Sequence, residues 1–175
     1  MLQKKICMLG AFGVGKTSLV RRYVQSLFSD AYLTTVGVKI DKKTVSVGNE
    51  TVTLLLWDIA GEDDVSPIRM SYLRGAAGYL LVADGTRAET LDIASSIQSR
   101  VKAEIGTVPF LVLLNKADLQ ESWEIDREAM DGLEQAGWSI VRTSAKTGAG
   151  VEEVFEELAK RMAASSGTKT LADCA

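Results

Sequence analysis

"GAFGVGKTS", Gly10 to Ser18, decides the fold. It follows the apolar run Ile6–Leu9 and opens Thr17–Leu27, a segment with apolar residues at three- and four-residue spacing. That is the strand–loop–helix setting in which G-x-x-x-x-G-K-[S/T] works as a phosphate cradle. Glycine lets the backbone wrap a polyphosphate with its N–H groups turned inward, and the helix N-terminus adds partial positive charge. Gly13, Val14, Gly15, Lys16, Thr17 and Ser18 are therefore expected nucleotide contacts. Lys16 would reach the outer phosphates, and the Thr17 hydroxyl would bind Mg2+.

Outward from this loop, short apolar runs alternate with helix-period segments. Ile6–Leu9, Val52–Trp57, Tyr79–Ala83, Phe110–Leu114 and Trp138–Val141 read as strands, several continuous enough in hydrophobicity to be covered on both faces. Thr17–Leu27, Ala88–Glu104, Asp126–Ala136 and Val151–Ala164 read as helices. Thr35–Val47 is rich in β-branched residues and turns through Gly48-Asn49 into the next strand, which predicts a hairpin. The whole predicts an α/β domain over residues 1–164: a mostly parallel sheet with one antiparallel edge and helices on both faces. Residues 165–175 are expected to be a short, frayed tail.

Composition narrows the chemistry. The 175 residues carry a net charge of −3, so no global basic field draws the chain to nucleic acid. Histidine is absent, which excludes a histidine base, triad or metal ligand. Cys7 lies in an apolar run and is expected to be a buried, inert thiol, while Cys174 is not four residues from the end, as a prenylation box requires. With no signal peptide and no apolar run long enough to span a bilayer, the expected setting is the cytoplasm, with no direct membrane anchor.

Two further motifs lie at strand ends. "NKAD" (Asn115–Asp118) follows Phe110–Leu114, and "TSAK" (Thr143–Lys146) follows the last strand. Asp118 can accept from the N1–H and the exocyclic amine of guanine; adenine offers no such donor pair, so a buried carboxylate here selects guanine. The Ala145 N–H is available for the guanine O6. Alone, NKAD is compatible with a solvated turn; three motifs in order on successive strand ends favour guanine.

With these residues, the sequence resembles the Ras-like small GTPases, and within them the Rab branch. The resemblance spans residues 4–164 and rests on GAFGVGKTS, TTVG (Thr34–Gly37), WDIAG (Trp57–Gly61), LRGA (Leu73–Ala76), NKAD and SAKTG (Ser144–Gly148). It implies the three-layer P-loop GTPase fold, a six-stranded sheet with five helices, and a GTP/GDP switch acting with Mg2+. It also implies that Phe28 packs against the base, Lys116 lies along base and ribose, and Ser144, Ala145 and Lys146 border the guanine. Thr17, Thr35 and Asp58 would serve the metal, and the Gly61 N–H the γ-phosphate. Lys16, Thr35, Gly61 and Glu62 would form the catalytic set. Effectors, exchange factors or activating proteins would use the switch segments and an apolar patch of Ile40, Trp57 and Tyr72, on a monomer recruited to membranes by partners.

Two positions depart from the family pattern. The residue after Gly61, usually glutamine, is Glu62, which as a carboxylate accepts a hydrogen bond from water but donates none. It either polarises water well enough for slow hydrolysis, the favoured expectation, or repels the phosphate and leaves a nucleotide-binding scaffold. Phe12 occupies the route by which a partner's arginine would enter, or else turns onto a neighbouring loop. The acids Asp63 and Asp64 are expected to be solvated charges of the switch loop or contacts for a basic partner.

Overall fold

The computed structural model describes residues 2–31, 33–63 and 65–172. Six strands form one sheet: β1 (Leu2–Gly10), β2 (Val38–Val47), β3 (Glu50–Ile59), β4 (Gly78–Asp84), β5 (Phe110–Asn115) and β6 (Ile140–Arg142). Their order is β2-β3-β1-β4-β5-β6, parallel throughout except for the β2–β3 pair. The hairpin at Gly48 carries that antiparallel edge, with a φ of 61° that glycine adopts freely.

The helices are α1 (Lys16–Gln25), α2 (Glu89–Ile105), α3 (Arg127–Gln135) and α4 (Val151–Ala172). Although the central strands are apolar throughout, their residues alternate strictly between two cores. Ile6, Met8, Leu80, Val82, Leu111 and Leu113 meet α1 and α4. Cys7, Leu9, Tyr79, Leu81, Val112 and Leu114 meet α2, with Met130 and Leu133 of α3 closing that side. Tyr23 stacks on Phe155 at 4.0 Å between ring centres, locking α1 to α4. Burial pushes the Cys7 thiol up to about 12, which makes it the inert core residue expected. Cys174 and Asp64 lie outside the described residues.

Two features differ from expectation. Among the described residues there are four α-helices, not five: after β3 only a 3-10 turn forms, Met70–Leu73. Pro67 and the acidic stretch before it supply no helical face, and Gly75 follows at a φ of 76°. The last helix also runs past residue 164 to Ala172. Ala163 and Ala164 favour helix, and the Ser166 hydroxyl donates to the Met162 carbonyl while accepting from Lys4 Nζ at 2.5 Å. No helix among the described residues is long and apolar enough to cross a membrane.

Candidate functional site

Parallel strands place their carboxyl ends on one rim, and the loops leaving β1, β3, β4 and β5 meet there. The result is a single cleft lined by Gly13, Gly15, Lys16, Thr17 and Ser18 at one end and by Asn115, Lys116, Asp118, Ala145 and Lys146 at the other. Phe12, Phe28, Thr35 and Gly61 complete its wall. Val14 is fully buried beneath the loop, Asp58 lies behind Thr17, and Ser144 stands behind Asp118.

At the phosphate end, Gly13 and Gly15 take φ values of 74° and 100°, which turn the loop into the helix. Lys16 is buried and donates to the carbonyls of Ala11 (2.9 Å) and Gly10 (3.2 Å). Burial pulls its ammonium down to about 8; Asp58 opposes this and Arg87 adds to it. The sign of the linkage is set by a folded value below the unfolded 10.5. The resulting stability is complete above 10.5 and is lost as pH falls through about 8, so near neutrality the loop holds a disfavoured cation. A polyphosphate reverses that preference. Binding of a polyphosphate is therefore expected to take up a fraction of a proton near pH 8 and less at pH 7. Titration calorimetry in buffers of different ionisation heat measures this; equal heats in all buffers at pH 8 would contradict it.

Beside the lysine, Thr17 Oγ1 lies 2.5 Å from Thr35 Oγ1 and donates to Asp58 Oδ2 at 2.6 Å, which Thr35 approaches at 3.3 Å. The start of α1, the loop before β2 and the end of β3 thus converge here. Asp58 is buried, and burial raises its pKa despite Thr17, Lys16 and Thr35. Its second oxygen, Oδ1, is buried with no hydrogen-bond partner. A buried carboxylate oxygen left unsatisfied beside two hydroxyls fits a hard divalent cation that keeps waters and phosphate oxygens as its other ligands.

At the base end, Ser144 Oγ donates to Asp118 Oδ1 at 2.6 Å, and Asp118 lines the cleft. Asp118 is exposed here, not buried as the guanine argument assumed; only a base above it would desolvate it. Asn115 is committed inside the protein: its amide donates to Val14 O at 2.9 Å and its oxygen accepts from Thr143 Oγ1 (3.2 Å) and Ala145 N (3.3 Å). The Ala145 N–H expected on the base O6 is thus directed at Asn115 Oδ1. Lys116 bridges Gly13 O at 3.1 Å and Asp84 at 2.7 Å, and Lys146 pairs with Asp30 at 3.5 Å.

The two described acids after β3, Glu62 and Asp63, separate. Glu62 does not face the cleft. Its carboxylate lies on Arg100 of α2, with both oxygens 2.6 Å from Nη2, and accepts from Ile68 N at 3.1 Å. Its backbone, meanwhile, is zipped onto the phosphate loop through Gly10 O and Phe12 N. Gly61 is required there, because a Cβ would sit 2.5 Å from Phe12 Cα. Asp63 is exposed, yet its carboxylate caps the turn by accepting from the N–H groups of Val65 and Ser66. Phe12 lines the cleft mouth and remains 40% exposed.

Of the expected partner patch, Ile40 is 46% exposed and pairs across the hairpin with Trp57. Trp57 and Tyr72 are half-buried, and Lys5 Nζ sits 3.5 Å from the Trp57 ring centre while donating to Tyr72 O.

Three supporting residues escaped the sequence reading. Arg87 donates to Phe12 O at 2.8 Å and pairs with Asp84. Asp84 is buried at the end of β4; hydrogen bonds from Lys116 and Thr86 outweigh its burial and hold its pKa below the ordinary range. Arg22 of α1 anchors the SAK loop by donating to Ala145 O at 2.7 Å and to Lys146 O. The one available signal was position: Asp84 ends an apolar strand just as Asp58 does.

Residues 5–164 match the family model described as the Ras family. The chain is 35% identical over 161 residues to Ras-related protein Rab-1 of Theileria parva, covering 90% of this chain and 73% of that protein. It is 36% identical over 163 residues to Ras-related protein Rab5 of Nicotiana tabacum, covering 92% and 82%. To Ras-related protein Rab-13 of Bos taurus it is 31% identical over 169 residues, covering 95% and 83%.

Proposed function

The chain belongs to the Ras family of small GTPases, in its Rab-like branch, and from that premise we propose a switch that binds GTP with Mg2+, hydrolyses it slowly and engages partners in the GTP form. The observation that carries this reading is one continuous cleft with a buried lysine at one end and an open carboxylate, Asp118, at the other. A cation end and a donor-seeking end in one groove suit a molecule with phosphates at one terminus and guanine at the other.

Each residue then has a task. Lys16 and the N–H groups of Gly13–Ser18 hold the phosphates. Thr17, Thr35 and Asp58 would hold Mg2+, which when bound supplies positive charge to the phosphate oxygens. Thr35 and Gly61 sit on segments that close on this end and relax when the terminal phosphate leaves, which makes them the moving parts of the switch. Val36 and Val65, on those segments, are 90% and 87% exposed and, with Ile40, offer apolar surface to a partner.

Slow turnover follows from Glu62. Its carboxylate is held on Arg100, so charge stabilisation rests on Lys16 and the metal set. Single-turnover hydrolysis by the purified chain with Mg2+ is expected to exceed the buffer rate. Glu62→Gln, which can both accept from water and donate to phosphate, is expected to raise it about tenfold. The position of Glu62 also favours a second reading, a hydrolysis-deficient nucleotide-binding scaffold. A wild-type rate equal to that of buffer selects the scaffold.

A further inference from the structure

Glu62 is held in two opposite directions. Its main chain is bonded to the phosphate loop, N–H to Gly10 O at 3.1 Å and carbonyl to Phe12 N at 2.9 Å. Its side chain points the other way, onto α2, where a single Arg100 nitrogen lies 2.6 Å from each carboxylate oxygen and Ile68 N–H adds a third bond. The pair is only partly open to water, at 16% exposure for Glu62 and 35% for Arg100. A negative charge anchored this close to the phosphate loop would repel a polyphosphate if it swung inward. It would repel the triphosphate most, because the extra charge lies at the end nearest Gly61.

We propose that Arg100 is the positioning residue for Glu62, drawing its carboxylate onto α2 and neutralising it so that the phosphate end of the cleft tolerates a triphosphate. The proposal rests on the guanine-nucleotide reading above. It assigns Arg100 a role in GTP-over-GDP discrimination without contact with the nucleotide. It also explains how a carboxylate is accommodated next to an anion site: the compensating cation stands on a neighbouring helix, 38 residues away in sequence.

The test uses the full chain with Mg2+ and compares dissociation constants for GDP and a non-hydrolysable GTP analogue. Arg100→Met and Arg100→Gln each remove the cation; glutamine keeps a donor and safeguards the experiment if methionine disturbs folding. Both are expected to lower the affinity ratio of analogue to GDP by about tenfold, the effect of one freed charge acting through partly screened surroundings. In a Glu62→Gln background the same substitutions are expected to move that ratio less than about twofold. Thermal midpoints measured in parallel identify any general loss of stability, which would weaken both nucleotides alike. A ratio unmoved by loss of Arg100, or moved equally in the Glu62→Gln background, overturns the proposal while guanine-nucleotide binding stands. Failure of the wild-type chain to bind either nucleotide overturns the functional reading and this inference with it.

Discussion

Asp118→Asn is expected to weaken GDP and GTP binding by about a thousandfold while creating affinity for the xanthine nucleotides. Guanine presents two donors side by side, N1–H and the exocyclic amine, and a carboxylate presents two acceptors. An amide presents one acceptor and one donor, so it loses one hydrogen bond to guanine and faces a donor with the other. One lost charge-assisted bond at about 1.5–3 kcal/mol, the lost charge on the other and a donor turned against a donor together account for about a thousandfold. Xanthine carries a carbonyl where guanine carries the amine, and the amide introduced by the substitution would then match it at both positions. The geometry makes the substitution clean. Asp118 receives Ser144 Oγ on Oδ1 alone and is exposed, so the amide enters without leaving a buried group unpaired. Competition of GDP against xanthosine diphosphate, in wild type and variant, reads the outcome. Retained preference for guanine in the variant would remove Asp118 from the base site.

How far the sequence reaches is visible at particular residues. Whereas the grouping of Thr17, Thr35 and Asp58 came only from the family resemblance, the phosphate loop and the β2–β3 hairpin were legible, because each depends on a local pattern beside an apolar run. The sheet was legible for the same reason: runs such as Leu80–Val82 can only be covered on both sides. The orientation of Glu62 was not. Its partner Arg100 lies on the outside of a helix whose pattern records only the apolar face, and nothing in a linear string links positions 62 and 100. Arg22, Arg87 and Asp84 were hidden likewise, since they hold loops together through main-chain carbonyls and ion pairs that exist only after folding. The expected fifth helix failed on local grounds: Pro67 and the charges before it outweighed the family pattern.

Asn115 shows most clearly how the two halves of the cleft depend on one another. NKAD reads as a base-binding motif, yet the Asn115 side chain spends its amide on Val14 O and its oxygen on Thr143 and Ala145. It is a buried brace from the base loop to the phosphate loop, and Gly15 leaves the room it needs. A Cβ on Gly15 would be driven into the Asn115 amide nitrogen, and the φ of 100° disfavours any L side chain there. Gly15→Ala is therefore expected to cost about 3 kcal/mol, the sum of an unfavourable backbone conformation and a broken buried hydrogen bond, lowering the thermal midpoint by about 10 °C. Asn115→Ala strands Val14 O, Thr143 Oγ1 and Ala145 N together and is expected to cost a similar amount. Because both substitutions destroy one brace, their double variant is expected to lose about 2 kcal/mol less than the sum of the single losses. Thermal unfolding of the four proteins measures that coupling, and nucleotide titration is expected to show the phosphate and base ends failing together in each variant. Simple additivity would mean that the two loops are held independently, and that the cleft is two adjacent sites instead of one.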